Sequence, residues 1–569
     1  MLWPTRLRSK RCSHWLPLAI LLCTLTGLAK QSPDNPGNGG HFVLVLPFEN
    51  RSGQSNLSWI GDSFPDTLNQ RLNSAGFLTI SRDDRLYALD HLGLPLDFKP
   101  TRATTIRIAQ TLDANIVVIG SFNVSNGRIT VQAQVLDVNN LHMSAPLEDS
   151  AELPRLFDVQ NAVAWKIARQ IDPKFNVAQG TFLAAPGQVK LSAFENYIRG
   201  VTAPTPQERI MRLQLAVQEA PTYTAALLAL GKTQYSERDF DHAAATLQKI
   251  PHTDPRALEA NFYLGLARFN SARYADAESA FAFVASRLPL PEVVNNQAVA
   301  SSRQGHDAVP LFQRAVAADP NDADFHYNLA VSLLRRGDFA GAQREIDQAL
   351  KLHPHDTEAA ELKTRISQGR ASTPKNVSSR PERSGVEEPA LSLSKGPASL
   401  SAQPKSQPSN DVEPVERIRR TYSETSFRQA AFQLDQMRAM RMATLPPAER
   451  ASQYVQLGRD YLAQGLVPEA EQQFQSALAA DPKSSLAHAG LAQVREQSGN
   501  LAEARAEAQT SLKLSPNAEA WLVLARIELH DNQTAASATD VSNALKLEPK
   551  NSAAQGMRQA LASRGQSLP

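Results

Sequence analysis

A pattern of small and helix-ending residues that recurs every 34 positions is the feature that most constrains this chain. The spacing separates several pairs of equivalent residues: Gly231 and Gly265, Pro255 and Pro289, Ala470 and Ala504, Pro482 and Pro516. A period of this length is typical of a helix–turn–helix repeat. One such unit cannot bury its apolar face alone, so neighbouring units stack into a superhelix with a long concave surface. The pattern therefore favours a shape that holds another protein over a shape built for chemistry.

The stretch 451–482 indicates which kind of repeat this is. Its spaced residues are Tyr454, Leu457, Gly458, Tyr461, Gly465, Ala470, Phe474, Ala477 and Pro482. This set is similar to the tetratricopeptide repeat (TPR) family, and the resemblance implies an all-α superhelix that binds protein or peptide partners. Small residues such as Gly458 and Ala470 are expected to let two helices approach closely.

The repeats fall into two predicted arrays. The first covers 190–368 with about five repeats and a cap, and the second covers 451–565 with three repeats and a cap helix. Between them, 369–422 is rich in Ser and Pro and poor in aromatic residues, which predicts a disordered linker. A helix is expected over 423–445. The basic run Arg417–Arg420 is interpreted as the solvated end of the linker rather than a nucleic-acid patch.

The N-terminus has the pattern of an export signal. A basic region precedes the apolar run Trp15–Ala29, which ends in small residues. The run is short for a membrane-spanning helix, which needs ~20 apolar residues. Residues 1–29 are therefore predicted to be a signal peptide or an uncleaved anchor through 15–29, with 30–40 as a tether. Both cysteines, Cys12 and Cys23, lie in this leader, and a cysteine-free remainder suits the bacterial periplasm.

Residues 41–175 alternate strand-like and helical patterns, which predicts a small α/β domain. Phe42–Phe48 is a continuous apolar run, as expected for a strand covered on both faces. Asn126 and Gly127 separate two strand-like runs, a strong signal for a β-hairpin. Leu156–Ile171 has the pattern of a closing helix.

Several short motifs of this region resemble one known family. They occupy 45–53, 59–62, 108–109, 118–122 and 129–137. Together they are similar to the TolB amino-terminal-like family, which is related to FlgO-type envelope proteins. The resemblance implies a small α/β domain that commonly precedes TPR arrays in bacterial chains.

Charge and motifs argue against several other classes of protein. The net charge of +2 gives no reason to expect binding to nucleic acid or to an anionic membrane surface. The sequence has no phosphate-loop, nucleophile-elbow or HExxH motif. We therefore predict a protein that is not an enzyme, with no catalytic residues, no cofactor and no metal ion.

The inner helices of the first array supply the candidate partner-binding residues. These are Leu228, Lys232, Tyr235, Phe262, Leu266, Phe269, Tyr327, Val331 and Arg335. An apolar and aromatic groove with basic edges suits a peptide or a helix of a partner. Alternatively, the same side chains pack between neighbouring repeats or against the α/β domain. The equivalent face of the second array is more polar, and either binds a separate partner or faces solvent.

The sequence as a whole predicts a multidomain protein with a small α/β domain and an all-α TPR superhelix in two arrays. The predicted function is a protein-binding scaffold of the bacterial cell envelope, either periplasmic or exported, or anchored in the inner membrane. The alternative is a sensor, in which the TolB-like domain binds a small envelope ligand and the TPR repeats relay the signal.

Overall fold

The computed structural model describes most of the chain, with gaps at the N-terminus and between the two helical regions. The described residues are 41–95, 101–184, 189–368, 414–420, 437, 440–463 and 465–569. The predicted leader and tether, most of the predicted linker and most of the predicted helix over 423–445 lie outside them. Within the described part of the chain, no helix is long and apolar enough to cross a lipid bilayer.

The N-terminal region is built on one mixed β-sheet. Its strands are β1 Phe42–Val45, β2 Glu49–Asn50, β3 Leu78–Thr79, β4 Ile116–Ser125, β5 Arg128–Asp137, β6 His142–Met143 and β7 Leu147–Glu152. The order is β3-β1-β4-β5-β6, with β2 paired to β4 and β7 paired to β5. β1 runs parallel to β3 and β4, whereas β5 is antiparallel to β4, β6 and β7.

The predicted hairpin is confirmed, because β4 and β5 pair antiparallel on either side of Asn126 and Gly127. Both turn residues have positive φ, 50° and 75°. Such a turn matches the right-handed twist of the flanking strands. The first strand is shorter than the predicted run of apolar residues and ends at Val45. Pro47 follows two residues later, and proline cannot donate a hydrogen bond to a neighbouring strand.

Both faces of β1 are buried, which explains its unbroken apolar sequence. Val43 and Val45 join the larger core cluster, and Leu44 and Leu46 join the smaller one on the other face. The helices of this region are α1 Ser58–Ser74, α2 Arg82–His91, α3 Arg102–Thr111, α4 Leu156–Ile171 and α5 Gln179–Leu183. Helices α1 and α4 cover the first face, while α2 and α3 cover the second.

Two series of consecutive helices follow the sheet region. The first series comprises α6 Leu191–Thr202, α7 Pro206–Glu219, α8 Thr224–Ser236, α9 Phe240–Leu247, α10 Ala257–Asn270, α11 Tyr274–Arg287, α12 Pro291–Arg303, α13 Val309–Ala318, α14 Ala323–Arg336, α15 Phe339–Leu352 and α16 Thr357–Ser367. The second comprises helices Pro447–Ala463, Val467–Ala480, Ser485–Gln497, Leu501–Leu514, Ala518–His530, Thr534–Leu547 and Ser552–Ser563.

Glycines allow the paired helices to approach closely, as the repeat pattern predicts. A Cβ atom added to Gly265 would lie 2.7 Å from the ring of Phe281 on the partner helix. At Gly458 the same atom would lie 2.6 Å from the ring of Phe474. Real Cβ atoms do not come this close to a packed ring, so these positions require glycine for steric reasons.

The core of the sheet region continues into the first helical series. Phe194, Tyr197 and Leu213 belong to the same cluster as the face of the sheet that α1 and α4 cover. The hydroxyl of Tyr197 donates a hydrogen bond to Asp66 Oδ1 at 2.8 Å. The hydrophobic core therefore crosses the predicted domain boundary at residue 175.

The second helical series contacts the segment that follows α4. The buried carboxylate of Glu471 accepts a hydrogen bond from the backbone N–H of Ala178 at 3.1 Å and forms an ion pair with Arg495 at 2.8 Å. Arg495 also donates to Thr181 Oγ1 at 2.8 Å. These contacts join the second series to the sheet region.

Candidate functional site

A short extended segment of the chain, Pro414–Arg420, lies against the inner helices of the first series. We call this the docked segment, and we call the surface that holds it the groove. The groove is formed by α12, α14 and the start of α16. The docked segment has neither helical nor strand structure. Its backbone N–H and carbonyl groups bond instead to side chains of the groove.

Buried asparagines form hydrogen bonds with the backbone of the docked segment at two positions, Arg417 and Arg419. Asn328 donates to the carbonyl of Arg417 at 2.8 Å and accepts from its N–H at 2.6 Å. Asn296 makes the same pair of bonds with Arg419, both at 2.8 Å. Asn295 adds a bond to the carbonyl of Arg417 at 3.1 Å and accepts from Asn328 at 2.8 Å. In an extended chain, backbone groups two residues apart point the same way, so this arrangement selects an extended peptide.

The side chain of Glu416 enters a basic pocket and is fully buried there. One carboxylate oxygen pairs with Arg335 and accepts a hydrogen bond from Ser302. The other oxygen lies 3.7 Å from Nε of Arg303. Arg335 also donates to the carbonyl of Pro414 at 2.9 Å. A buried carboxylate is costly unless it is paired, so this pocket discriminates strongly in favour of an acid.

Arg417 points to the opposite side, into a pocket that is both acidic and aromatic. Its guanidinium lies 3.9 Å from the centroid of the Tyr327 ring, a cation–π contact. It bonds both oxygens of Asp356 at 2.6 and 2.9 Å, and also bonds Asp324 and Glu358, each at 2.8 Å. Planar two-point contacts of this kind suit arginine better than lysine.

The charges in this pocket shift one another's pKa values. The hydrogen bond from Arg417 is the main reason that the pKa of Asp356 is lowered. Burial alone would lower the pKa of Arg417, but its hydrogen bonds to the three carboxylates outweigh burial and raise it. Burial raises the pKa of Tyr327 to about 12. Arg417 and Asp356 therefore keep their charges across the physiological pH range.

Arg419 and Ile418 complete the contact. Arg419 pairs with Asp322. Ile418 packs against two apolar clusters of the first helical series. Asp322 and Asp356 are 34 residues apart, and each caps the N-terminus of a helix, α14 or α16. Two successive repeats thus use the same capping position to hold arginine side chains two residues apart on the docked segment.

The structure distributes the residues predicted for the groove among three environments. Two of them, Tyr327 and Arg335, contact the docked segment directly. Four are buried in the apolar clusters of the array: Leu228, Phe262, Leu266 and Val331. Three make contacts within the array or with the sheet region: Lys232, Tyr235 and Phe269.

Phe262 illustrates the second environment. Its ring packs edge-on against Phe281 and Tyr263 and has no exposed surface. Lys232 illustrates the third, because its ammonium pairs with Glu259 at 2.7 Å and Asp83 at 3.5 Å. Lys232 therefore fits the alternative of contacts between repeats and with the sheet region, whereas Phe262 packs against the paired helix of its own repeat.

The interpretation of Arg417–Arg420 as a solvated linker end is wrong for Arg417 and Arg419. Both are partly buried against the groove, because carboxylates of the array neutralise them and its asparagines satisfy their backbone. Sequence reasoning also missed Asn295, Asn296 and Asn328. A signal was present, since Asn295 and Asn328 lie 33 residues apart in helices where asparagine is a poor helix former.

Polar residues on the inner face of the second series pair with one another. Arg526 makes two bonds of 2.6 Å to Glu496 on the preceding inner helix. Arg459 pairs with Glu519 at 2.8 Å. Among the described residues, no group of His, Cys, Asp and Glu has the arrangement of a metal site.

Two family models match the chain, and both are described as tetratricopeptide repeat. One matches residues 300–366, and the other matches 228–285, 455–519 and 497–554. The predicted TPR repeats are therefore confirmed, and such repeats provide surfaces for protein–protein interaction. A comparison with curated proteins finds no match.

Several solved structures match parts of the chain. MamA (residues 41 to the end) from Desulfovibrio magneticus RS-1 is 16% identical, with a TM-score of 0.28; the match covers 30% of this chain and 99% of that one. YrrB, described as a TPR protein with an unusual peptide-binding site, is 15% identical with a TM-score of 0.28, covering 35% and 98%.

A third similar structure is the LpoB C-terminal domain from Escherichia coli. It is 24% identical with a TM-score of 0.18, covering 21% of this chain and 87% of that one. At these identities and TM-scores, none of the three likenesses carries an argument about what this chain binds.

Proposed function

We propose that this protein is a non-enzymatic scaffold whose first TPR array holds an extended segment of a partner protein. The observation that carries the proposal is the double hydrogen bonding of a peptide backbone by Asn328 and Asn296. Each amide side chain satisfies one N–H and one carbonyl, as a neighbouring β-strand would. A buried asparagine that bonds a backbone in this way stabilises a peptide whatever its side chains are.

The proposed setting is the bacterial cell envelope. The support is the basic and then apolar N-terminus, together with the absence of cysteine after residue 23. The TolB-like resemblance of 41–175 agrees with this setting. The second TPR series would hold a further partner, or would fix the sheet region through Glu471 and Arg495.

The test compares partner capture by the wild-type chain and by an Arg335→Glu variant after crosslinking in the source cell. Arg336→Glu is the matched control, because Arg336 is the next residue and its side chain is mostly exposed. We expect envelope proteins that are captured by the wild type and the control and lost with Arg335→Glu. Equal capture by all three would contradict the role of the groove.

N-terminal sequencing of the same sample tests the location. A start at or near Lys30 supports export with cleavage of the leader. An intact Met1 together with cytoplasmic partners would contradict the envelope setting.

The alternative of a ligand sensor has less support. Helices cover both faces of the sheet, and Phe48 stacks on Phe64 with ring centroids 4.1 Å apart in the larger core. A sensor would show thermal stabilisation of the full chain by small envelope molecules. The full chain is the correct sample, because the core of the sheet region continues past residue 175.

A further inference from the structure

The docked segment shows more than the existence of a peptide groove, because its side chains alternate between two chemically different sides. On one side, Glu416 faces a basic pocket and Ile418 faces an apolar surface. Arg417 and Arg419 face carboxylates and aromatic rings. Alternation of this kind is what an extended chain imposes. Each successive position of a bound peptide therefore meets a different chemical requirement.

The position of Glu416 carries the strongest requirement. Its carboxylate is fully buried, and Arg335, Arg303 and Ser302 surround it. A lysine at this position would bury a positive charge beside two arginines, and an alanine would leave Arg335 without this acceptor. The position should therefore accept an acidic residue and reject a basic one.

The positions of Arg417 and Arg419 carry the opposite requirement. Four carboxylates approach them: Asp322, Asp324, Asp356 and Glu358. Tyr327 and Phe325 lie beneath the two guanidinium groups, at 3.9 and 5.8 Å. Acidic residues at either position would be repelled. Between them, the position of Ile418 meets apolar side chains and should accept an aliphatic residue.

We propose that the groove recognises partner segments with the order Glu–Arg–aliphatic–Arg, and that the docked segment is a built-in copy which such a partner must displace. This inference rests on the proposed function. The charge pattern of the groove is complementary to this order of residues, and the docked segment already satisfies each pocket. Because it belongs to the same chain, it competes as an intramolecular ligand, at an effective concentration set by the chain that connects it to the groove.

The experiment uses a fluorescent synthetic peptide with the sequence of residues 414–420, titrated against the full chain. The release variant carries Glu416→Lys and Arg417→Glu, which place the wrong charge in each pocket and leave the groove unchanged. We expect the peptide to bind the release variant at least tenfold more tightly than the wild type. Adding Arg335→Glu to the release variant should abolish that gain, whereas adding Arg336→Glu should not.

Two further peptides separate recognition from general charge attraction. One has the same composition in scrambled order, and the other has alanine at 416, 417 and 419. We expect both to bind the release variant at least tenfold more weakly than the natural sequence. Thermal melting of each variant shows that it remains folded.

The outcomes distinguish this inference from the proposed function. If the alanine peptide binds as well as the natural one, the sequence preference is wrong, but the groove still holds extended peptides. If no peptide binds the folded release variant, the assignment of the groove as a peptide-binding site is wrong. Equal binding of the natural peptide to the wild type and the release variant would overturn the role of the docked segment as a competitor.

Discussion

Replacing Asn328 with alanine should loosen the docked segment without unfolding the array. The amide makes two hydrogen bonds to Arg417, at 2.8 and 2.6 Å. A neutral hydrogen bond contributes about 1 kcal/mol net, so the loss of both costs about 2 kcal/mol. Since 1.4 kcal/mol corresponds to a factor of ten in an equilibrium constant, the ratio of docked to free segment should fall by about thirtyfold. Asn295 also loses the donor that reaches its Oδ1 at 2.8 Å.

Amide hydrogen exchange of the full chain measures this directly. The N–H of Arg417 is protected only while it donates to Asn328, so its protection should fall by about the same factor of thirty. The matched control is Asn261→Ala. Asn261 is also buried in an inner helix, but within the described part of the chain its amide donates only to Ala257 in its own helix, at 2.8 Å. Asn261→Ala should leave the protection of Arg417 unchanged. Equal protection of the Arg417 N–H in the wild type and in Asn328→Ala would show that Asn328 does not hold the backbone of the docked segment.

Three further predictions concern the array itself. Phe262→Ala should lower the free energy of unfolding by about 3–5 kcal/mol in chemical denaturation, because the ring is fully buried; a loss below about 1 kcal/mol would contradict the packing. Gly265→Ala should cost about 1–3 kcal/mol because its methyl group meets Phe281, whereas Gly556→Ala, in a helix with nothing within 4 Å of the new atom, should be neutral or stabilising. The hydrogen bond to Glu345 raises the pKa of His326 above its ordinary value of 6.5, so its stabilising effect is complete below pH 6.5 and is lost as pH rises through the raised pKa. Melting temperatures at several pH values should show this loss, and Glu345→Gln should remove it; an unchanged pH dependence in that variant would count against the pair.

The repeat architecture could be predicted from the sequence because its causes are local and periodic. Gly231 and Gly265 recur at the repeat spacing because paired helices approach closely there, and that requirement does not depend on the rest of the molecule. The hairpin at Asn126 and Gly127 was predictable for a similar reason, because its positive φ values favour these two residue types.

The groove could be predicted only in part. Tyr327 and Arg335 were found because they lie on the inner face of a repeat. Phe262 shares that face, yet its ring turns into the contact with Phe281, and the orientation of a ring depends on how the two paired helices pack. Asp322 and Asp356 cap the N-termini of α14 and α16. Nothing local shows that these two carboxylates also hold arginines from another part of the chain.

The docked segment was mispredicted because composition was the evidence used. The Ser and Pro content of 369–422 indicates a linker, and the charges of Arg417 and Arg419 indicate solvent. Their pairing depends on carboxylates that are distant in sequence, such as Asp356, 61 residues from Arg417.

Residues 414–420 occupy the groove, and a distance measurement between two spin labels tests this placement most directly. Since no cysteine follows residue 23, cysteines introduced at Val415 and Glu361, both exposed, can be labelled specifically in a chain that starts at Lys30. We predict one narrow distance distribution, which broadens when Glu416→Lys and Arg417→Glu are added. A broad distribution in the otherwise unaltered chain, unaffected by those substitutions, would contradict the account.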